Sequence, residues 1–381
     1  MKLAVAKESR AHEARVAATP DSVKKLIQLG LEVVVETGAG AAASFLDEAY
    51  RQAGAQIAQS QEAAFAEADI VIKVQRPLGP SEEPNELARI KEGATLIGLL
   101  APHADKALIQ AYADRKLSAF ALELLPRITR AQSMDVLSSQ SNLAGYKAVI
   151  DAAAEFGRIF PMMMTAAGTV PPTRVLVMGV GVAGLQAIAT ARRLGAIVSA
   201  TDVRPATKEQ VQSLGATFVA VEDEEFLQAQ TAGGYAKEMS AAYKTKQAAL
   251  IAETIKKQDI VICTALIPGR PAPVLVSEDM VKTMKPGSVI VDLAVEQGGN
   301  CPLSEFGRIV VKHGVKLVGH ANMPSRVAVD ASQLYARNVT TFLGLIVDKE
   351  TKALKLDKND EIIKATLLTE GGLVVHPSLA G

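Results

Sequence analysis

Three glycines with G-x-G-x-x-G spacing, Gly179, Gly181 and Gly184, follow an apolar run and precede a stretch of helix-forming residues. This pattern is typical of a strand–turn–helix unit whose backbone approaches a pyrophosphate and whose helix N-terminus stabilises the negative charge. Asp202 ends the next apolar run about 20 residues later, where a carboxylate accepts hydrogen bonds from ribose hydroxyls. Together these residues predict a Rossmann-type dinucleotide site.

Asp202 also predicts which dinucleotide binds. A carboxylate at this strand end repels a 2′-phosphate and therefore favours NAD(H) over NADP(H). Arg204, two residues later, could receive a phosphate, and the other interpretation of it is a solvated loop charge. We give more weight to the strand-end carboxylate and predict NAD(H).

A second glycine segment, GAG at residues 38–40, follows the apolar run 32–36 and is similar to a dinucleotide loop. However, no short apolar strand ending in an acid follows about 20 residues later, as a ribose-binding carboxylate requires. We therefore predict one cofactor site per chain.

Apolar runs and helical stretches alternate along the chain. Strands are predicted at residues 3–5, 32–35, 70–74, 95–99, 175–178, 197–201, 217–219, 260–263, 289–293 and 316–318. Helices are predicted at residues 22–29, 47–53, 105–114, 141–156, 185–194 and 331–347, with a break at 160–172. This alternation predicts an α/β fold with parallel sheets and right-handed crossovers.

Length and charge limit the class of protein. A chain of 381 residues is too long for one core and indicates two domains. The 41 Lys and Arg residues balance 41 Asp and Glu residues, so the basic excess of a nucleic-acid-binding protein is missing. Cys263 and Cys301 are too few for a disulfide framework or a four-ligand zinc site. Two reduced, buried thiols and a charged N-terminus without a signal-peptide region indicate the cytosol, and no metal site is predicted.

Segments along nearly the whole chain resemble the alanine dehydrogenase and nicotinamide nucleotide transhydrogenase family. They are KE at 7–8, EARVAATP at 13–20, GAG at 38–40, VIKV at 71–74, GVGVAG at 179–184, MKPG at 284–287, VDLA at 291–294, QGG at 297–299 and ANMP at 321–324. The resemblance implies two Rossmann-like parallel-sheet domains, the second inserted in the first. The expected bounds are 1–137 plus 327–381 for the N-terminal α/β domain and 138–326 for the dinucleotide-binding domain.

The residues that distinguish the two branches of the family favour the transhydrogenases. Arg15 and Lys73 match the positions that hold the substrate in alanine dehydrogenases, but Ala101 stands where those enzymes have an acid–base histidine. His103 is the nearest candidate to replace it. Oxidative deamination must move protons, whereas hydride transfer between two nicotinamides needs mainly proximity and orientation. For Arg15 and Lys73, a binding role and a structural salt bridge both remain open.

Residues 126–138, PRITRAQSMDVLS, resemble the transhydrogenase loop that lies near the nicotinamide and meets the NADP(H) component. The resemblance implies a pair between Arg127 and Asp135 that holds the loop. It also implies that Gln132 hydrogen-bonds to the dihydronicotinamide ribose or carboxamide, with Ser138 adding a hydroxyl. These four residues are the predicted catalytic group, and a purely structural polar loop is the alternative.

The resemblance also implies that residues 222–246 form a long mobile loop, with Gly233 and Gly234 as a hinge, Tyr235 closing over the nucleotide and Met239 as apolar cover. The complete set of predicted cofactor-binding residues is Arg127, Gln132, Ser133, Asp135, Ser138, Gly179, Gly181, Val182, Gly184, Asp202, Val203, Arg204, Gly234, Tyr235, Ala265 and Leu266.

The function that the resemblance implies is NAD(H) binding in a proton-translocating transhydrogenase. Hydride would pass between NADH here and NADP+ on an NADP(H)-binding subunit, with the membrane-spanning subunit a separate chain. The expected form is a homodimer, peripheral on the cytoplasmic face of the inner membrane through these partners, without nucleic acid. The alternatives are an alanine dehydrogenase-like enzyme that uses His103 and a non-catalytic NAD(H)-binding sensor.

Overall fold

A computed structural model of the chain describes residues 1–229, 239–267 and 270–379. The chain divides into two compact units, Met1–Gln140 with Pro324–Gly381 and Ser141–Met323. The second unit is thus inserted in the sequence of the first. The boundaries fall at 140/141 and 323/324, compared with the expected 137/138 and 326/327.

The secondary structure of both units is dominated by alternating strands and helices. The strands are β1 (Lys2–Val5), β2 (Glu32–Glu36), β3 (Gln56–Ala58), β4 (Ile70–Gln75), β5 (Thr95–Leu99), β6 (Ser118–Ala121), β7 (Met163–Thr165), β8 (Gly168–Val170), β9 (Arg174–Met178), β10 (Ile197–Thr201), β11 (Thr217–Phe218), β12 (Ile260–Cys263), β13 (Val289–Asp292), β14 (Arg308–Lys312), β15 (Val315–Gly319), β16 (Val347–Asp348), β17 (Ala353–Leu354), β18 (Leu367–Glu370) and β19 (Leu373–Val374). The α-helices are α1 (Pro20–Gln28), α2 (Asp47–Gln52), α3 (Gln61–Phe65), α4 (Lys106–Asp114), α5 (Val136–Glu155), α6 (Val182–Arg193), α7 (Thr207–Ser213), α8 (Glu224–Leu227), α9 (Ala241–Ile255), α10 (Glu278–Thr283), α11 (Ala328–Ile346) and α12 (Glu361–Thr366).

The first unit contains an eight-stranded sheet with the order β19-β18-β6-β5-β4-β1-β2-β3. Strands β1 to β6 pair in parallel, and β18 and β19 add antiparallel pairs at one edge. Alternate residues of the central strands enter two apolar clusters: Leu3 and Val5 belong to one, Ala4 and Ala6 to the other. Because both faces of the sheet are covered, its strands are continuous apolar runs, as expected for parallel strands.

The second unit contains a seven-stranded sheet with the order β11-β10-β9-β12-β13-β15-β14. All of its pairs are parallel except that between β14 and β15. Counted from β9, the parallel strands follow the 3-2-1-4-5-6 order of a dinucleotide-binding fold, with the topological switch between β9 and β12. The predicted fold class, two Rossmann-like parallel-sheet domains with the second inserted in the first, is confirmed.

The expectation of a long loop at residues 222–246 is wrong at both ends. Helix α8 lies near the start of this segment, and α9 begins at Ala241 because the Ser240 side chain accepts a hydrogen bond from the Tyr243 N–H. Met239 is buried in a small apolar cluster that includes Phe226 and Tyr243, so it belongs to the unit's own packing. Gly233, Gly234 and Tyr235 lie outside the described residues.

The segment interpreted as a break, residues 160–172, contains an antiparallel hairpin of β7 and β8. The short strands of this hairpin and of the β18–β19 pair give too little periodicity to be recognised in the sequence. Among the residues that the structure describes, no helix is both long and apolar enough to cross a membrane.

Candidate active site

The glycine turn lies at the carboxyl end of β9, directly before α6. Gly179 has a φ of +96°, and its carbonyl accepts a hydrogen bond of 2.9 Å from the Thr264 hydroxyl. A methyl group on Gly184 would lie 1.9 Å from the Gly179 oxygen, so only glycine allows this close packing of strand and helix. A methyl group on Gly181 would meet no atom of the described chain within 4 Å, which leaves the backbone of the turn accessible to a ligand.

Asp202 follows β10 and connects this strand end to the glycine turn. One carboxylate oxygen accepts a hydrogen bond of 2.8 Å from the Val180 N–H. Arg204 donates to both oxygens, from Nε at 2.9 Å and from a terminal nitrogen at 2.8 Å. This hydrogen-bonded pair raises the pKa of Arg204. The interpretation of Arg204 as a solvated loop charge is therefore wrong, because it is paired with Asp202.

Ala265, a predicted cofactor contact, follows β12 and lies against the glycine turn. A methyl group on Gly179 would come within 3.1 Å of the Ala265 nitrogen. The side chain of Asn300 is bonded to both backbone groups of Ala265: it accepts from the N–H at 3.1 Å and donates to the carbonyl at 2.9 Å. The neighbouring Leu266 remains 46% exposed. A fixed backbone therefore presents an apolar side chain beside the turn.

Asn300 was not predicted from the sequence, although it directly follows the QGG segment at 297–299. It is fully buried and also donates a hydrogen bond of 2.7 Å to the Pro273 carbonyl. The buried carboxylate of Asp292, at the end of β13, accepts the Asn300 N–H at 3.1 Å and thereby places it. An amide residue after two adjacent glycines is the signal that would have identified it.

Residues 126–138, the polar loop, belong to the first unit and include a 3₁₀ segment over Thr129–Met134. Ala131 and Met134 are buried, whereas Gln132 and Ser133 are exposed. The apolar residues thus anchor the loop and leave the polar ones accessible. Within the same loop, Arg130 donates two hydrogen bonds of 2.6 and 2.9 Å to Asp360.

The end of the polar loop caps α5. Asp135 accepts hydrogen bonds from the Ser138 N–H at 2.9 Å and the Ser138 hydroxyl at 2.5 Å. This contact satisfies one of the N–H groups at the start of the helix, which have no partner within the helix itself. The predicted pair between Arg127 and Asp135 stays a prediction.

Arg15 is buried and paired with a carboxylate of its own chain. It donates to the two oxygens of Glu13 at 2.8 and 2.6 Å. Burial acts to raise the pKa of Glu13, but the hydrogen bonds and charge of Arg15 outweigh it and lower the pKa to about 2. These contacts favour the structural salt bridge over substrate binding for Arg15.

Lys73, in β4, is also buried beside carboxylates. Its Nζ lies 3.3 Å from Glu86 Oε1 and 3.5 Å from Glu8 Oε2. Burial raises the pKa of Glu8, and the charge of Lys73 opposes this. Glu8 also accepts the N–H of Val74 at 2.6 Å, so its carboxylate lies close to the carboxyl end of β4, the strand that neighbours β1 in the sheet. The expectation of one cofactor site per chain stays a prediction.

Ala101 follows β5 with a φ of +48°, and its N–H donates to Glu123 Oε1 at 2.6 Å. Its methyl group can neither accept nor donate a proton. His103 is exposed, whereas Arg15 and Lys73 are both buried. In the described part of the first unit, Arg15 and Lys73 are thus buried, and Ala101 rather than a histidine follows β5.

Family models match most of the chain. The model described as alanine dehydrogenase/PNT, N-terminal domain, matches residues 4–144, and the corresponding C-terminal domain model matches residues 148–377. The chain belongs to the alanine dehydrogenase/PNT family. The family resemblance predicted from the sequence is confirmed.

Within this family, transhydrogenases are the more similar members. In Rhodospirillum rubrum, the protein named as the first part of the NAD(P) transhydrogenase alpha subunit is 61% identical over 381 residues, which cover 100% of this chain and 99% of that protein. The crystal structure of transhydrogenase from Sinorhizobium meliloti is 54% identical with a TM-score of 0.89, covering 98% of this chain and 100% of that one. The alanine dehydrogenase of Bacillus subtilis is 32% identical over 393 residues, with 100% of this chain and 94% of that protein covered.

We predict that Glu13→Gln lowers the free energy of unfolding by an amount that depends on pH. The folded-state pKa of Glu13 is about 2 against an ordinary 4.5. The contribution of its charge is therefore complete above pH 4.5 and is lost as the pH falls towards 2. The difference in pKa corresponds to about 3 kcal/mol.

Urea unfolding at pH 7 and pH 3 measures this effect. The variant should be less stable than the wild type by about 2–3 kcal/mol at pH 7, with a smaller difference at pH 3. The matched control is Glu48→Gln, which breaks an exposed pair with Arg51 and should change the free energy of unfolding by less than about 1 kcal/mol. An equal loss at both pH values would contradict the role of the Glu13 charge.

Proposed function

We propose that this chain is the NAD(H)-binding component of a proton-translocating NAD(P) transhydrogenase, which passes hydride between NADH here and NADP+ on a partner subunit. The observation that carries the proposal is a combination of two features. The dinucleotide turn is complete, and Ala101 stands at the strand end where an amino-acid dehydrogenase needs a proton-transfer group. The high identity to the Rhodospirillum rubrum subunit supports the same function.

The residues of the second unit fit a bound dinucleotide. The accessible backbone at Gly181 and the N-terminus of α6 suit a pyrophosphate, whose charge the helix dipole stabilises. The Asp202 carboxylate is fixed to the same turn and suits the ribose hydroxyls. Exposed apolar groups at Val182, Val203 and Leu266 offer packing surfaces for the rings. Ala265, Gly234 and Tyr235 complete the proposed set, the last two lying outside the described residues.

When bound, the dihydronicotinamide supplies the hydride. The protein's contribution is then orientation, because the reacting carbons must approach to about 3–3.5 Å. We assign this task to the polar loop. Gln132 and Ser133 are accessible on an anchored backbone, while Arg127, Asp135 and Ser138 hold the loop and the start of α5.

Partner subunits complete the enzyme in this proposal. The relative in Rhodospirillum rubrum is named as only the first part of its alpha subunit, which implies that further chains complete that enzyme. We propose an NADP(H)-binding subunit and a membrane-spanning subunit, with this chain peripheral on the cytoplasmic face of the inner membrane. Proton translocation takes place in the membrane-spanning partner, and no nucleic acid is involved.

An exposed apolar hairpin supports the proposed homodimer. Met162, Met163 and Met164 are 62, 45 and 80% exposed, and they lie on or next to β7. Three adjacent exposed methionines are a costly use of apolar surface unless another protein surface covers them. We therefore propose that the hairpin packs against a second copy of the chain.

The first test of the function is hydride transfer from NADH to NADP+ in a single turnover, with the NADP(H)-binding subunit present. We predict rapid transfer for the wild type and no NAD+-dependent oxidation of alanine. Gln132→Asn should slow transfer on the order of 100-fold, since a displacement of about 1 Å has this cost. Its dissociation constant for NADH should change little. Weak binding with normal transfer at saturation would show that Gln132 serves affinity instead.

The cofactor preference gives a second test. NADH should bind far more tightly than NADPH, measured by calorimetry, because Asp202 repels the 2′-phosphate. In Asp202→Ala, Arg204 loses its partner and becomes available to a phosphate. The ratio of the NADPH dissociation constant to the NADH dissociation constant should therefore fall by about tenfold or more. The matched double variant Asp202→Ala, Arg204→Ala should regain part of the preference for NADH. Equal affinities of the wild type for both nucleotides would contradict the assignment.

A third test addresses the hairpin. Replacing Met163 and Met164 by Lys places two charges in the proposed contact, whose desolvation should dissociate the dimer. Analytical ultracentrifugation should show a dimer for the wild type and a monomer for the variant. The control is Leu46→Lys, which changes a residue of the first unit whose exposure (65%) lies between those of Met163 and Met164, and this variant should remain dimeric. A variant hairpin that stays dimeric would place the interface elsewhere.

A further inference from the structure

Asn338 connects the polar loop to α11 within the first unit. Its side chain is nearly buried, with 8% of the residue exposed. Its amide donates a hydrogen bond of 2.9 Å to the Ser133 carbonyl, and its oxygen accepts one of 2.8 Å from the Ser139 hydroxyl. Ser133 is adjacent to Gln132, so this contact fixes the loop backbone beside the residue that we place in hydride transfer.

We propose that Asn338 is a positioning residue for hydride transfer, acting through the backbone of the polar loop on Gln132. This inference rests on the function proposed above, but its effect on the loop can be measured without it. The amide of Asn carries its donor and its acceptor on separate atoms and so reaches both partners at once, whereas an ionised Asp cannot donate to the Ser133 carbonyl and Leu can neither donate nor accept. Losing the contact would remove the bond from Asn338 to the Ser133 carbonyl, which favours rearrangement of the loop.

A series of hydrogen bonds connects Asn338, through Ser139, to buried residues of the first unit. The Ser139 hydroxyl accepts a bond of 3.2 Å from Gln140 Nε2, which also donates to the Ala331 carbonyl at 3.1 Å. The oxygen of the same amide accepts a bond of 2.8 Å from Arg15. Gln140 is buried, so few alternative partners compete for these bonds.

Arg15 is the fixed end of this series of hydrogen bonds. Its guanidinium is held by Glu13, and Glu13 also accepts a bond of 3.0 Å from Gln75 at the end of β4. The route from the sheet to the loop therefore runs through Glu13, Arg15, Gln140, Ser139 and Asn338. An arginine that matches the substrate-binding residue of alanine dehydrogenases has here a supporting role for the loop.

The geometry explains why loss of the Asn338 contact should lower the rate of hydride transfer more than the affinity for NADH. The glycine turn and Asp202 belong to the other unit and take no part in this chain of bonds. A displaced loop leaves them unchanged, whereas a displaced Gln132 misorients the reacting rings. Orientation errors of about 1 Å lower transfer rates on the order of 100-fold.

The test compares Asn338→Leu with Thr340→Val. Thr340 lies on the same helix and donates to the Ala336 carbonyl at 2.7 Å, so its loss disturbs α11 without touching the loop. In the chain alone, hydrogen exchange of the Ala131 and Asp135 amides, which bond to carbonyls within the loop, should become about tenfold faster or more in Asn338→Leu. The control should exchange at the wild-type rate.

Transfer measurements complete the test. With the NADP(H)-binding subunit, Asn338→Leu should bind NADH within about threefold of the wild type and transfer hydride about 10- to 100-fold more slowly at saturation. Gln132→Asn should then add little in the Asn338→Leu background, because residues that act through one another are not additive. Full additivity, or loop exchange equal to that of the control, would overturn the proposal.

Ser139→Ala gives an independent variant if Asn338→Leu fails to fold. It removes one of the two Asn338 contacts and keeps the bond to Ser133. Amide exchange in the loop should therefore become a few-fold faster, and hydride transfer a few-fold slower. No change in either would overturn the proposal. Absence of hydride transfer in the wild type would instead reject the proposed function, and the exchange result would still decide whether Asn338 holds the loop.

Discussion

The close approach of Gly184 to the Gly179 carbonyl is the contact on which the dinucleotide site depends. A methyl group at Gly184 would lie 1.9 Å from that oxygen, so α6 can start directly after β9 only with glycine here. Two hydrogen bonds connect this turn to its neighbours. The Val180 N–H donates to Asp202, which follows β10, and the Thr264 hydroxyl, which follows β12, donates to the Gly179 carbonyl. The ladders of the sheet align the three strand ends, and these bonds connect them to the turn, which is what a ligand spanning the switch point requires.

The first unit holds two buried cations, each beside carboxylates of the same chain. Isolated buried charges are costly, so Arg15 and Lys73 remain only where carboxylates compensate them. Glu13 and Glu86 provide this compensation from within the chain. Lys73 thereby connects β4 to the segments that carry Glu8 and Glu86, which supports the scaffold of the unit. Such a support suits a reaction whose main requirement is orientation.

The polar loop combines a fixed base with accessible side chains. Buried Ala131 and Met134 anchor it to the core, and the ion pair of Arg130 with Asp360 holds it from the outside. Exposed ion pairs contribute little free energy on average, so the apolar anchors and the buried amide contacts carry most of the fixation. Rigid positioning of a few polar groups is the property that a hydride-transfer site needs.

The sequence by itself determined the features of this protein that depend on local spacing, and only the tertiary structure decided which polar groups meet. The glycine turn, the strand-end Asp202 and the central strands follow from motifs whose residues are close along the chain, because turns, caps and apolar runs are local properties. The short strands β3 and β6, the edge strand β14 and the hairpin of β7 and β8 were among those missed, since a few residues with weak alternation carry little periodic signal. By contrast, Asn338 reaches Ser133 across 205 positions of the sequence. Burial makes such a contact specific, because a buried amide must be satisfied by whichever partner the fold brings within hydrogen-bonding distance.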